Sequence, residues 1–163
     1  MKKQEIAGEC PWSHLEPSGD GLIVHDFITT KLSTLMSALR RQLTTPYASQ
    51  FDLSVSEWRV LSLIAHAGTL PFGELVVQST SDKALVSRTI RLLEQRNLIE
   101  IKPESDTAKK RIACSITPEG EALHAKVIPL ARQRQAEIIC ELSKEEREVF
   151  YAAIDKLQRA IDK

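Results

Sequence analysis

The chain has 163 residues, with 22 Lys and Arg against 22 Asp and Glu, so its formal net charge is zero. That length suits one compact domain, or a small domain with extra helices that need a partner, and the even balance excludes a chain made basic overall for nucleic acid. No apolar run approaches the roughly 20 residues that span a bilayer, and the polar start MKKQEIAGEC lacks the apolar core of a signal peptide; a soluble cytoplasmic protein is expected.

Residues 1–21, punctuated by Gly8, Pro11, Pro17, Gly19 and Gly21, read as an irregular arm. From Leu22 the pattern turns helical: Val24, Phe27, Ile28, Leu32, Leu35, Met36, Leu39 and Leu43 follow a 3.6-residue period, and Pro46 is expected to stop it. In LSVSEWRVLSLIAHAG, Ser54 and Glu57 offer a capping box, with Ser56 an alternative N-cap, Trp58, Leu61 and Ile64 point inward, and Gly68 stands near the C-cap. Pro71 starts a short helix in PFGELVVQS, and Ser79 to Asp82 then offer a cap for the next. That helix ends at Asn97, because Asn tolerates the left-handed backbone such a position needs. Beyond it the period drops to two: LIEIK and RIACSI read as a β-hairpin around PESDTAKK. Thr117, Pro118 and Glu119 start a long helix expected to bend at Pro129, and the box Ser143 to Glu146 starts the last one.

Helix, helix, basic helix and hairpin in that order is the plan of a winged helix-turn-helix. The expected fold is mostly α with a small β-hairpin wing (α+β). It divides into the arm (1–21), a first helix (22–50), the winged helix-turn-helix (51–116) and C-terminal helices (117–163).

Charge is uneven along this plan. From Lys83 to Arg111 there are eight basic and four acidic residues, a local excess of +4. On a helical wheel Leu85, Val86, Thr89, Ile90, Leu92 and Leu93 share one arc, a core-facing stripe. The opposite face carries Lys83, Ala84, Ser87, Arg88, Arg91, Glu94 and Gln95. Small side chains at Ala84 and Ser87, flanked by long cations, suit a helix entering a major groove about 12 Å wide, whereas a solvated face usually mixes acids with bases. Arg96 lies at the helix end near the core arc, where it caps the helix or pairs locally. Lys109, Lys110 and Arg111 stand at the tip and base of the hairpin, placed for a minor groove or phosphate backbone.

These residues resemble the MarR family of bacterial transcription regulators. GELVVQSTSDKALVSRTIRLLEQRNLIEIKP is similar to the family's helix-turn-helix, and SITPEGEAL to the segment after its wing. The resemblance implies a homodimer held by the first and last helices (22–50 and 117–163) and a repressor bound to palindromic double-stranded DNA. It also implies a small effector, an aromatic acid among the candidates. Carried over by position, Thr80, Ser81, Ala84, Ser87 and Arg88 would face bases and phosphates, and Lys110 falls at the usual wing-tip arginine. Two positions depart from the pattern: Asn97 stands for the usual Gly, and Ala108 for the usual wing Asp, a role Asp106 takes only in a rearranged turn.

For an aromatic acid the need is an apolar slot with a cation, and Met36, Arg40 and Trp58 are the candidates, the alternative being ordinary core for Met36 and Trp58. His14, His25, His66 and His124 lack metal-ligand spacing, and neither a catalytic set nor a phosphate loop is present, so no metal, cofactor or enzyme activity is expected. Cys10, Cys114 and Cys140 read as reduced thiols, with Cys114 inward on the hairpin and Cys140 in a helix interface. Two alternatives stay open: an oxidant sensor using Cys10, or a winged-helix scaffold for protein interactions.

Overall fold

The computed structural model describes residues 10–103 and 111–162. Its backbone divides into two units, Met1–Arg41 and Gln42–Lys163. In the first, a 3-10 turn at Val24–Asp26 precedes α1 (Ile28–Leu39). The indole Nε1 of Trp12 donates to the Asp26 carbonyl at 2.8 Å, and Lys31 pairs with the Asp26 carboxylate at 3.3 Å. Ile28, Leu32, Leu35 and Met36 form a stripe along α1 that this unit leaves exposed.

Pro46 does not stop the helical run as expected. A π-type turn at Arg40–Thr44 leads into α2 (Thr45–Ser49), with Pro46 in its first turn. A proline ring clashes with the carbonyl four residues before it in a regular α-helix, and the wider π turn takes up that conflict.

The second unit continues with α3 (Val55–Ala67), β1 (Thr69–Pro71), α4 (Phe72–Ser79), α5 (Lys83–Gln95), β2 (Ile99–Pro103), β3 (Ile112–Ile116), α6 (Pro118–Ile139) and α7 (Lys144–Ile161). Polar side chains fix the helix starts. Ser54 Oγ accepts from the Glu57 N–H at 3.2 Å while Glu57 Oε2 accepts from the Ser54 N–H at 2.9 Å, and Ser143 with Glu146 repeats the pattern at 3.2 and 2.7 Å. Thr117 Oγ1 accepts from the Gly120 N–H at 3.0 Å. Each such cap contributes about 1 kcal/mol. Pro129 falls inside α6, which runs on to Ile139.

The sheet has the order β1-β3-β2 and is antiparallel throughout, with Cys114 opposite both Leu70 and Ile101. The strand β1 escapes the sequence pattern because three residues are too few to show a period of two. Packed against the sheet, α3, α4 and α5 bury Leu61, Ile64, Leu75, Val86, Ile90 and Leu93, joined by Val127 and Ala131 of α6. Burying a Leu or Ile side chain contributes about 1.5–3 kcal/mol. By contrast α7 buries no residue, so Phe150, Ile154, Leu157 and Ile161 form an exposed apolar stripe along it. Among the described residues no helix is long and apolar enough to cross a membrane.

Candidate nucleic-acid interface

The helix-turn-helix is joined by a three-residue turn. Thr80 takes a left-handed conformation, φ 51 and ψ 34, which ends α4. Ser79 Oγ donates to the Val76 carbonyl at 3.1 Å, Ser81 Oγ donates to the Ser79 carbonyl at 3.2 Å, and Asp82 Oδ1 accepts from the Leu85 N–H at 2.8 Å to start α5. Turn and cap together set the direction in which α5 leaves.

Along α5 the wheel is correct at its centre and wrong at one edge. Val86, Thr89, Ile90 and Leu93 are buried, and the Thr89 hydroxyl is satisfied by the Leu85 carbonyl at 2.9 Å. Leu92, placed in the core stripe by the wheel, is 49% exposed. It sits at one margin of the arc, and the core closes over the other margin, at Ile90, and the middle but not over this one. On the opposite side Lys83, Ala84, Arg88 and Arg91 are exposed and Ser87 is half-buried. None of these three cations takes part in the ion pairs formed among the described residues. Their charge is therefore left to attract an external anion.

Arg96 behaves differently: it is the C-cap of α5, one of the two roles expected of it, but its side chain does not pair locally. Its Nη1 donates to the Asp52 carbonyl at 2.7 Å and to Glu57 Oε1 at 3.3 Å, and its Nη2 to the Phe51 carbonyl at 3.5 Å. These partners lie 39 to 45 residues earlier. The capping-box spacing identified Glu57 as a cap, but no local signal shows its second partner. Next to Arg96, Asn97 has φ 56, the left-handed backbone expected of it.

On the wing, Arg111 is exposed immediately before β3, and Lys102 pairs with Glu100 at 2.7 Å on β2. Lys109 and Lys110, with Asp106 and Ala108, lie outside the described residues. Among the effector candidates, Met36 and Arg40 are exposed in the first unit. Trp58 is buried in the core of the second, stacked on the His124 ring with centroids 5.5 Å apart and edge-on to Tyr47 at 5.9 Å. Burial, then the nearby Arg132 charge, lowers the His124 pKa below its ordinary 6.5. Buried Cys114 has its thiol pushed up to about 11, first by burial and then by Glu94, so it is a packing residue. Cys10 is an exposed free thiol, as is Cys140, the C-cap residue of α6.

Comparison with known proteins agrees with this geometry. A family model described as MarR family matches residues 51–111. The transcriptional regulator HosA of Escherichia coli O111:H- is 30% identical over 110 residues, covering 67% of this chain and 80% of HosA. A solved MarR/EmrR family transcriptional regulator from Acinetobacter sp. ADP1 matches with a TM-score of 0.73 and 25% identity, over 82% of this chain and 94% of that one. The structure of NadR in complex with 4-hydroxyphenylacetate shares the fold at a TM-score of 0.69 and 24% identity, over 83% of this chain and 94% of that one. The chain belongs to the MarR family of transcriptional regulators, DNA-binding proteins rather than enzymes.

Proposed function

We propose that the chain is a homodimeric repressor that reads a palindromic duplex and leaves it when a small aromatic acid binds. The observation that carries this reading is the slim basic face of α5, whose cations have no carboxylate partner among the described residues. Ala84 and Ser87 let the helix approach base edges, Arg88 and Arg91 reach guanine or phosphate, and Thr80, Ser81 and Lys83 meet the backbone at the start of α5. Wing cations Lys109, Lys110 and Arg111 would lie along the neighbouring phosphates. In this reading residues 51–116 bind DNA and 1–21 are an arm. Residues 22–50 and 117–163 dimerise, which the exposed apolar stripes of α1 and α7 support. Two such chains about a two-fold axis would present their α5 helices to successive major grooves about 34 Å apart.

The 4-hydroxyphenylacetate held by NadR supports the effector class. The effector candidates are Trp58, whose ring stacks on His124, in the second unit and, separately, Met36 and Arg40 in the first.

The test selects the tightest duplex for the wild-type protein from a random-sequence library, then titrates variants against it. Arg88→Ala should weaken binding by roughly 1–3 kcal/mol, about 5- to 150-fold, with the fold intact by circular dichroism. Unchanged affinity would remove α5 from the groove. Adding an aromatic carboxylate such as 4-hydroxyphenylacetate to the wild-type complex should release DNA, and no release at millimolar concentration argues against the effector.

A further inference from the structure

The two ends of α5 are held in different ways. At its start the Asp82 side chain caps the Leu85 N–H, a bond local to the helix. At its end Arg96 is fastened to the segment that begins α3, through the carbonyls of Phe51 and Asp52 and the Glu57 carboxylate. The Asp52 backbone is left-handed, φ 53, at the point where its carbonyl accepts from Arg96. On the other side the Asn97 carbonyl accepts from Thr117 Oγ1 at 2.7 Å, which ties the same end to the first turn of α6. The basic face of α5 thus belongs to a helix that packs on the core through Val86, Ile90 and Leu93 and is fastened by long-range hydrogen bonds at its far end.

We infer that Arg96 and Glu57 are positioning residues for DNA binding: their ion pair sets the angle of α5, and neither touches DNA. This rests on the reading face proposed above. A helix of 13 residues is about 20 Å long at 1.5 Å per residue, so a rotation of about 5° at its end moves the first turn by nearly ~2 Å. Hydrogen bonds to base edges tolerate about 0.5 Å, so small play in the clamp is enough to lose them. Glu57 is suited to this task because its oxygens do separate work: Oε2 caps α3 and Oε1 holds Arg96. The pair is also shielded, with Glu57 12% and Arg96 35% exposed at the side chain, so salt screens it less than a surface pair.

Glu57→Gln separates the two jobs, because a capping box accepts Gln as readily as Glu while the ion pair is lost. With the duplex selected by the wild-type protein, at a temperature where every variant is fully folded by circular dichroism, Glu57→Gln and Arg96→Met should each lower affinity about tenfold. The double variant should be no weaker than either single one, and the dependence of log affinity on log salt should keep its wild-type slope. Should Arg96→Met fail to fold, Arg96→Gln replaces it in the cycle. Loss of a distant acid would, by charge alone, tighten binding to a polyanion, so the sign for Glu57→Gln is decisive. Glu57→Gln binding as well as or better than wild type, additive losses in the double variant, or a slope lowered by about one in the Arg96 variant would each overturn the inference. A wild-type protein that enriches no duplex overturns the reading of α5 and this inference with it. If wild type binds and Arg88→Ala is weak while Glu57→Gln is unchanged, only the inference falls.

Discussion

At Gly120 the first turn of α6 crosses the exit of α5 with no room for a side chain. An added Cβ would enter the Leu98 carbonyl oxygen and come within 2.8 Å of Ile116 Cδ1. The Leu98 carbonyl is backbone, held by the Thr117 N–H at 3.2 Å, and cannot swing aside. Gly120→Ala should therefore cost about 3 kcal/mol or more and lower the melting midpoint by about 10 °C. Thermal unfolding followed by circular dichroism checks this, and a midpoint within about 2 °C of wild type would contradict the crossing. In the sequence Gly120 is merely the third residue of a helix start; its need for glycine comes from Leu98, which touches it only after folding. The same holds for Arg96 and Glu57, whose pairing spans 39 residues. What the sequence does show at this scale is local: Ser54, Thr117 and Ser143 as caps and Asn97 as a left-handed stop, each decided by bonds within a few residues.

Between elements, α3 and α6 meet through the stacked rings of Trp58 and His124. Burial first, and the Arg132 charge second, keep the His124 imidazole neutral to a lower pH than the ordinary 6.5. The sign follows from proton counts. Above 6.5 both folded and unfolded chains carry a neutral ring, and stability from this site is intact. As pH falls below 6.5 the unfolded chain takes up the proton first, so stability declines until the folded ring titrates as well. His124→Phe keeps an aromatic ring and removes the proton, so the wild-type melting midpoint should fall relative to the variant's as pH drops below 6.5. Parallel curves for the two proteins in that range would show that the stack does not hold its neutral form. Helices were legible at this scale wherever the apolar period ran for three turns or more. The exceptions have definite causes: β1 is too short for a period, Leu92 sits on the rim of its stripe, and the π turn absorbs Pro46.

For the whole molecule, the stripes on α1 and α7 are apolar surfaces that the described units leave uncovered. In the proposed dimer the α7 stripe is covered by the second chain, so a charge at its middle should be costly. Ile154→Asp should shift light-scattering mass from two chains toward one and weaken DNA binding with it, since half-sites are then bound singly. A variant that stays dimeric would move the interface away from α7. The order of helices, the hairpin, the caps and the basic bias of α5 were determined by the sequence alone, because periodicity, turn chemistry and charge are properties of neighbours along the chain. That Leu92 stays exposed at the edge of its stripe, how the end of α5 is clamped by Arg96 and Thr117, and why residue 120 must be glycine were decided only by tertiary structure, because each depends on groups that meet through packing rather than through chain order.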